Sequence, residues 1–303
     1  MPKLVNLGSL CIDQVYRVPN IANAGETVAS LGHDTYPGGK GLNQSLAAAR
    51  AGVAVSHVGC VGADGEWLKT ALRESGVEVS GVRSVAGGSG HAIIQVDAAG
   101  QNAIVVVGAA NRGVEETDLE VALGQMHAGD WLLIQNEIND LERVLAGAAR
   151  RGVALAFNLA PVDGRERGYD LSSVKLLIVN EIEAAALAGV KQPSAALARI
   201  GERLPDTDVV LTLGREGLLY AGPSGQGSTP AFAVQAVDET GSGDAFIGYL
   251  MAGLLQGLGL PDALVLGAAA GGLAATREGA ASSIPDLESV RGLIASARAN
   301  PKG

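Results

Sequence analysis

The chain alternates between short apolar segments and longer segments with helical spacing that end at Gly. The short segments are rich in Val, Ile and Leu and carry few charges, which is typical of strands buried on both faces. Such alternation over most of a chain predicts an α/β fold, with a parallel sheet covered by helices on both faces. The predicted strands are 3–10, 54–62, 130–135, 152–158, 174–180 and 208–214, and the predicted helices are 41–52, 65–76, 141–152, 195–204, 245–258 and 262–279.

Two stretches break this alternation and predict a second, smaller layer of strands. Residues 12–36 contain two strand-like segments, 13–19 and 25–31, with no helix between them, and the pattern of 91–108 predicts a hairpin. A lid over an active site is one interpretation, and an ordinary extension of the sheet is the other. We therefore expect residues 1–303 to form one domain, with a discontinuous β lid from about 12–36 and 91–108.

The composition argues against several classes of partner. A net charge of −10 repels polyanions, and an aromatic content of 3% leaves little for stacking on bases, so we expect no nucleic-acid partner. The apolar run 262–276 is too short and too rich in Gly and Ala to span a membrane. Cys11 and Cys60 lie in apolar strand-like segments, which predicts buried thiols in a reducing compartment. Since the first residues resemble a strand and not a signal peptide, we expect a cytoplasmic protein.

Polar residues that follow predicted strands are the first candidates for a site, because open parallel sheets bind ligands beyond the carboxyl ends of their strands. Asp13 follows the first strand, although an isolated Asp there is also a common turn residue. Gly39 and Gly41 permit a ligand to approach the backbone closely just before a predicted helix. Lys40 and Asn43 add donors for hydroxyl groups, with a flexible loop capped by Asn43 as the alternative.

Two further segments carry the signals of a nucleotide site. Asn180, Glu181 and Glu183 follow a predicted strand, and two carboxylates with an amide suit Mg²⁺ held through water beside a phosphate. Solvated charges and a cap at a helix start explain the same residues equally well. Thr212 and Gly214 end the last predicted strand, where a tight turn can pass over a nucleotide, but they also fit a hairpin turn.

The segment from Gly241 to Asp244 has the most specific pattern. Gly241, Ser242 and Gly243 precede a strongly apolar predicted helix, so backbone N–H groups and the helix dipole face outward and form an anion hole. Asp244 alone is explained by helix capping, but capping does not require the two glycines. A base that takes a proton from an alcohol, beside amides that hold a transferring phosphoryl group, explains all four residues.

Other catalytic patterns are missing from the sequence. The four histidines do not have metal-ligand spacing, and neither a P-loop nor a G-x-S-x-G nucleophile motif occurs. Phe246 occupies the position of the third Gly in a dinucleotide fingerprint, which argues against an oxidoreductase on a similar sheet.

With these residues identified, the chain resembles the ribokinase (PfkB-type) carbohydrate kinase family. Segment 38–52, GGKGLNQSLAAARAG, is similar to the first signature of the family, and segment 237–250, VDETGSGDAFIGYL, is similar to the second. The segments VNEIEA and LTLGREG also match, in order, and the resemblance covers essentially the whole chain. It implies a ribokinase-like sandwich with a small β lid, and ATP-dependent phosphorylation of the primary hydroxyl of a pentose, with D-ribose as the leading substrate.

The resemblance also implies a role for individual residues. Asp244 matches the catalytic base, and Gly241, Ser242 and Gly243 match the anion hole. The sugar-site positions are Asp13, Cys11, Gly39, Lys40, Gly41, Asn43 and Glu137. The nucleotide positions are Asn180, Thr212, Leu213, Gly214, Arg215, Glu216, Gly217, Gly243 and Ala268. The metal positions are Glu183 for Mg²⁺ through water, and Asp238, Thr240, Ala274, Arg277, Gly279 and Ser283 for an activating K⁺.

The resemblance has two departures and leaves alternatives open. Cys11 stands where the family usually has a sugar-binding Asn, and Ala268 stands where a polar residue often reaches the adenine. Another pentose, a ketohexose, deoxyribose or a nucleoside is therefore an alternative acceptor. A non-catalytic sugar or nucleotide sensor is a second hypothesis, which predicts loss of Asp244 or its glycines. The family also implies a homodimer through the lid.

Overall fold

The computed structural model describes residues 2–299, and its elements alternate as the sequence predicts. The strands are β1 Lys3–Leu7, β2 Cys11–Arg17, β3 Gly32–Gly38, β4 Ala54–Val61, β5 Glu78–Ser84, β6 Gly90–Val96, β7 Asn102–Val107, β8 Trp131–Gln135, β9 Ala154–Asn158, β10 Leu176–Asn180, β11 Asp208–Thr212, β12 Leu218–Gly222 and β13 Gly225–Thr229. The helices are α1 Lys40–Arg50, α2 Glu66–Glu74, α3 Glu116–Gly124, α4 Leu141–Arg151, α5 Glu181–Ala188, α6 Pro193–Arg203, α7 Ser242–Leu255, α8 Leu260–Ala274 and α9 Leu287–Ala299.

The main sheet has nine strands in the order β13-β12-β11-β10-β9-β8-β1-β4-β5. All neighbouring strands from β11 to β5 are parallel, which confirms the α/β fold class. The prediction of a purely parallel sheet is wrong at one edge, where β12 and β13 are antiparallel. The physical reason is that short turns at 213–217 and 223–224 return the chain without a crossover helix.

Two hydrophobic cores lie on opposite faces of this sheet because successive strand residues alternate between faces. Leu4 of β1 belongs to the core beneath α1, α2, α7, α8 and α9, and Val5 belongs to the core beneath α3, α4, α5 and α6. Helix α7 is apolar around most of its circumference, and Ala245 to Gly253 are all buried, so it packs between the sheet and its neighbouring helices. The predicted helices on both faces are therefore confirmed.

A separate four-stranded sheet forms from the two irregular stretches, in the order β3-β2-β6-β7. The predicted hairpin is confirmed by β6 and β7, which are antiparallel and joined by a turn in which Gly100 N donates to Asp97 O. The prediction of a strand at 25–31 is wrong, because the partner of β2 is the following segment β3. The exposed residues 25–31 bury no apolar face that a strand could use.

The order of the strands places the site beyond their carboxyl ends, next to β1. β1 lies between β8 and β4, so the chain winds away from β1 in both directions. Such a switch point leaves a crevice beyond the carboxyl ends of the strands. The segments that follow β1, β8, β10 and β11 all begin at these carboxyl ends.

Cys11 and Cys60 are buried free thiols, as the sequence predicts. Within residues 2–299, no helix has the length and hydropathy that crossing a membrane requires.

Candidate active site

Asp244 lies in the first turn of α7, and its carboxylate is held by two side-chain amides. Asn43 Nδ2 donates to Asp244 Oδ2 at 3.0 Å, and Gln44 Nε2 donates to Asp244 Oδ1 at 2.9 Å. Only 7% of Asp244 is exposed. A buried carboxylate requires hydrogen-bond partners, and neutral amide donors stabilise it without a direct ion pair. One oriented carboxylate therefore faces the crevice.

The turn before Asp244 requires glycine. Gly241 has φ of +76°, and a Cβ there would lie 2.7 Å from the Cα of Ala280, so the position excludes other side chains. Ser242 N donates to Glu239 O at 3.2 Å. Gly243 and Asp244 follow in the first helical turn, where backbone N–H groups have no acceptor within a helix. The turn thus presents donors where the sequence predicts an anion hole.

The first helix, α1, packs its glycine-rich start against the loop after β1. Asn43 N donates to Gly39 O at 3.0 Å, and Leu42 N donates to Ser9 O at 2.9 Å. A Cβ at Gly41 would lie 2.7 Å from both the carbonyl carbon of Gly8 and the oxygen of Ser9. Glycine at position 41 therefore lets the two backbones touch, which carries Asn43 to Asp244.

Glu137, after β8, ties these segments together. Its Oε2 accepts from the backbone N–H of Lys40 at 3.0 Å and from the hydroxyl of Ser9. Burial lowers the pKa of the Lys40 amine, but the nearby carboxylates of Asp244, Glu137 and Glu183 outweigh that effect and raise the pKa above its ordinary value. Lys40 is therefore a half-buried, charged amine near three carboxylates.

Asp13 and Cys11 lie next to each other on one strand of the small sheet. Asp13 is in β2, not in a turn after β1, so the alternative of a turn residue is wrong. Burial, followed by the charges of Glu137 and Asp244, raises the pKa of Asp13 to about 7. Cys11 is 4% exposed, its Sγ accepts from Asn111 Nδ2 at 3.3 Å, and burial is the main cause that raises its thiol pKa.

Two adjoining cavities meet at the start of α7. The smaller, of about 210 Å³, is lined by Lys40, Asn180, Glu183 and Asp244, among others. The larger, of about 450 Å³, includes several predicted nucleotide positions. These are Thr212, Gly214, Arg215, Gly217, Gly243 and Ala268. Ser242 of the predicted anion hole also lines this cavity, together with Phe232, Val234 and Gly272.

Leu213 and Glu216 of the predicted nucleotide set are placed differently from their neighbours. Leu213 packs against the hydrophobic core, and Glu216 is exposed in the turn between β11 and β12. Leu213 N donates to Gly217 O at 2.8 Å and closes that turn, so this N–H is not available to donate to a ligand. The hairpin alternative for this segment is confirmed by the same bond and by the antiparallel strands.

Asn180 and Glu183 cap α5 reciprocally. Asn180 Oδ1 accepts from Glu183 N at 3.0 Å, and Glu183 Oε2 accepts from Asn180 N at 2.7 Å. Burial raises the pKa of Glu183 despite opposing hydrogen bonds from Asn180 and the charge of Lys40. The capping interpretation is therefore correct for both residues, and it leaves Glu183 on the wall of the smaller cavity. Glu181, in contrast, is exposed.

The predicted potassium positions lie on two loops joined by Asp238. Its Oδ1 accepts from Thr240 N at 2.9 Å, and its Oδ2 accepts from Gly279 N at 2.9 Å. Burial favours the neutral carboxyl, but these hydrogen bonds outweigh burial and lower the pKa of Asp238. Arg277 N donates to Ala274 O at 3.1 Å. Ser283 is buried, and its hydroxyl donates to Ala280 O at 2.9 Å.

Comparison with known proteins identifies the family. The family model described as "pfkB family carbohydrate kinase" matches residues 1–287. This chain belongs to the pfkB family of carbohydrate kinases. It is 32% identical over 291 residues to a ribokinase of Haemophilus influenzae, covering 93% of this chain and 95% of that protein.

Solved structures of ribokinases superpose on the kinase over nearly its full length. A Cryptococcus neoformans ribokinase in complex with ADP has a TM-score of 0.83 and 34% identity, covering 96% of this chain and 99% of that one. An Arabidopsis thaliana ribokinase complexed with ribose and ATP has a TM-score of 0.84 and 29% identity, covering 97% and 98%. The ribokinase-like fold and the carbohydrate kinase class are thus confirmed.

Sequence reasoning missed four residues that complete the site of the kinase. Gln44 and Asn158 surround Asp244, while Ser9 and Asn111 hold Glu137 and Cys11. The only local signal was the polar segment Asn43-Gln44-Ser45 directly before the apolar residues 46–49. The other three are short polar residues at strand ends or in loops, whose partners are distant in sequence.

Proposed function

We propose that this kinase transfers the γ-phosphoryl group of ATP to the primary hydroxyl of a pentose, converting D-ribose to ribose 5-phosphate. The observation that carries the proposal is the position of Asp244. It lies on the wall of the smaller cavity, beside the anion-binding turn and next to the larger cavity. Relatives named ribokinase, including one solved with ribose and ATP, support the acceptor and the donor.

Asp244 acts as the general base in this proposal. It accepts the proton of the primary hydroxyl while the sugar oxygen bonds to the γ-phosphorus and the bond to the β,γ-bridging oxygen breaks, so that ADP leaves. Gly243 and Asp244 offer backbone N–H groups to the transferring group, and the α7 dipole favours negative charge there. Lys40 neutralises charge on the phosphoryl oxygens from the same cavity wall.

The sugar is held by groups that retain free acceptor capacity. Asn43 Oδ1 is buried and has no hydrogen-bond partner among residues 2–299. A hydroxyl of the sugar would donate to this oxygen and supply the partner. Asp13 in β2 and the second oxygen of Glu137 accept further hydroxyl donors. The small sheet that carries Asp13 serves as a lid that excludes water from the reacting groups.

ATP occupies the larger cavity, with its base against apolar walls. Phe232, Val234 and Ala268 line this cavity, and Thr212 lies at its border with the smaller one. Because Ala268 offers no side-chain hydrogen bond to a nucleobase, we expect a relaxed preference among purine nucleotides. The phosphates then extend toward Gly243 and Lys40.

The residues around Glu183 fit a magnesium ion held through water. Hard oxygen donors suit Mg²⁺, and Glu183 faces the cavity where Asn180 and Lys40 also lie. When bound, the ion shields the charges of the ATP phosphates. Glu183 orients the water ligands through the oxygen lone pairs that its cap leaves free. A cytoplasmic location, where MgATP is abundant, stays a prediction.

The loops around Asp238 fit a monovalent cation. A carboxylate and the backbone carbonyl of Ala274 are the oxygen donors that K⁺ prefers, and Asp238 is ionised at neutral pH. Asp238 and Ala274 would hold the ion, which would steady segment 238–240 directly before the turn at Gly241.

Replacing K⁺ by choline is expected to lower kcat/KM for ATP several-fold. The bulky cation cannot enter the Asp238 loops, so the anion-binding turn loses its support. Activity is measured at constant ionic strength, and adding K⁺ back should restore it. Asp238→Asn should remove most of this response, while equal rates in K⁺ and choline would contradict the cation site.

Lowering the pH below about 7 is expected to weaken sugar binding. The pKa of Asp13 is raised to about 7, so the free enzyme loses the acceptor carboxylate as pH falls through that value. KM for the sugar should be constant above about pH 8 and rise by up to about tenfold per unit below 7. Glu137→Gln removes a repelling charge and should move the midpoint down, whereas exposed Glu120→Gln should not. A flat KM profile would contradict the role of Asp13.

We also propose a homodimer formed through the small sheet. Strand β7 is at the edge of that sheet, and Ile104, Val105 and Val106 are 47%, 61% and 59% exposed. An exposed apolar edge strand is a surface that pairs with another strand. Sedimentation velocity is expected to show a dimer that Val105→Lys dissociates and exposed Val121→Lys does not. A monomeric parent protein would contradict this assembly.

The acceptor is tested by the rate of ADP release with MgATP, K⁺ and a panel of sugars and nucleosides. Ribose should exceed the others in kcat/KM by about a hundredfold. Cys11→Asn should improve ribose use further if the thiol contacts the sugar, and the adjacent lid variant Gln14→Asn is the control. If another acceptor had the highest kcat/KM, phosphoryl transfer would still be supported, but ribose would be contradicted as the substrate. ATP binding without turnover on any acceptor would favour a sensor.

A further inference from the structure

Two successive residues of α1 hold the two oxygens of Asp244, and they have different surroundings. Asn43 Nδ2 binds Oδ2, and Gln44 Nε2 binds Oδ1. Among residues 2–299, Asn43 Oδ1 has no hydrogen-bond partner, whereas both polar atoms of Gln44 are engaged. Its Nε2 also donates to Asn158 Oδ1 at 3.1 Å, and its Oε1 accepts from Gln135 Nε2 at 2.8 Å. Gln44 is 0% exposed, so it has nothing left to offer a ligand.

A chain of buried side chains continues behind Gln44. Gln135 Nε2 donates to Asn6 Oδ1 at 3.0 Å, and Asn6 Nδ2 donates to Ser45 Oγ at 2.8 Å. Ser45 Oγ lies 2.8 Å from His57 Nδ1, and His57 Nε2 lies 3.3 Å from Gly8 O. Gln135, Asn6, Ser45 and His57 are each 0% exposed. The chain ends on a backbone carbonyl of the central strand region.

The hydrogen bonds in this series of buried side chains have only one consistent assignment of donors and acceptors. The carbonyl of Gly8 accepts only, so His57 Nε2 carries the proton and His57 Nδ1 accepts from Ser45. Burial lowers the pKa of His57 to about 4, which keeps the ring neutral. Ser45 then accepts from the Asn6 amide, and Asn6 accepts from Gln135. Gln135 must donate to Gln44 as well, which fixes the oxygen of Gln44 away from Asp244.

Close packing of α1 against α7 holds the same geometry. A Cβ at Gly248 would lie 2.8 Å from Gln44 O and 2.7 Å from Ala48 N. The two helix backbones therefore touch one turn beyond Asp244. Neither Gln44 nor Asp244 can move away from the other without a shift of a helix.

We propose that Gln44 is a positioning residue for the general base, and that the buried chain from Gln135 to His57 keeps its N–H directed at Asp244 Oδ1. Without this constraint the amide can rotate and present its oxygen to the carboxylate, which is repulsive. With it, the carboxylate is fixed in rotation. The proposal rests on the role of Asp244 in the proposed kinase reaction.

Gln44→Met tests the proposal because it keeps the shape and removes both polar atoms. We expect kcat to fall about a hundredfold, as for a misoriented reacting group, with KM for sugar and ATP changed by less than about threefold. Because a donor to the carboxylate is lost, the acid limb of the kcat profile should also move to higher pH. Gln256→Met is the matched control: Gln256 donates to Ala51 O at 2.9 Å, away from Asp244.

Two further variants keep the test decisive if Gln44→Met does not fold. Gln44→Glu is isosteric and places a second carboxylate beside Asp244, which should move the acid limb up by at least about one pH unit. Gln135→Met leaves Asp244 untouched and should lower kcat by about tenfold. Folded Gln44 variants with the parental kcat and pH profile would overturn the proposal. If Asp244→Asn also remains active, the base role fails as well, which separates the two outcomes.

Discussion

Asp244→Asn is expected to lower kcat by about three to four orders of magnitude, which is the range for loss of a positioned general base. The amide has nearly the same shape, and it retains one acceptor oxygen for the donors of Asn43 and Gln44. It cannot take the proton of the sugar hydroxyl. ATP binding should change by less than about threefold, because the larger cavity lies beside Asp244 and is not formed by its side chain.

The rate is measured by coupled ADP release, and ATP binding is measured by calorimetry on the same protein. Asp262→Asn is the control, since Asp262 lies in the first turn of α8 and is exposed. The control should retain the parental kcat. Near-normal turnover of Asp244→Asn would remove this residue from the base role.

Lys40→Met is expected to lower kcat by about a hundredfold to a thousandfold, the range for loss of one transition-state donor. The Met side chain keeps the apolar stem and removes the charge. The carboxylates of Asp244, Glu137 and Glu183 hold the pKa of the half-buried amine above its ordinary value, so it is charged at neutral pH. In the proposed reaction, its loss removes the cation beside the phosphoryl group and leaves the carboxylates unscreened.

Single-turnover kinetics with Lys40→Met separate these effects, with exposed Lys191→Met as the control. A slower phosphoryl-transfer step with little change in the melting temperature supports a role in the reaction. A parental transfer rate with a lower melting temperature would show that Lys40 only offsets the buried carboxylates.

The sequence was sufficient for the parts of the site that lie within one short segment. The turn at Gly241 and the glycine-rich start of α7 follow from glycine chemistry and local spacing. At Gly41 the sequence predicted a close approach of a ligand, whereas the structure has the backbone of Gly8 and Ser9 there. The strand–helix alternation likewise predicted the main sheet, because its strands are buried on both faces.

The parts that the sequence did not predict depend on contacts between distant segments. Gln44 and Gln135 meet only after α1 has packed on the sheet, so neither residue signals its partner. The sequence predicted a strand at 25–31, but the strand forms at β3, because β3 pairs with β2. This pairing outweighs the local strand propensity of 25–31. The pKa of Asp13 depends on burial and on Glu137 and Asp244, which are far away in sequence.

The central claim is most directly tested by ³¹P NMR of the kinase with MgATP, K⁺ and ribose. We predict that the γ-phosphorus signal of ATP is replaced, one for one with ADP, by the signal of a phosphate monoester coupled to the two C5 protons of ribose. With Asp244→Asn the ATP signals should persist over the same time. Formation of inorganic phosphate in place of the ester, or an ester at another carbon, would contradict the account.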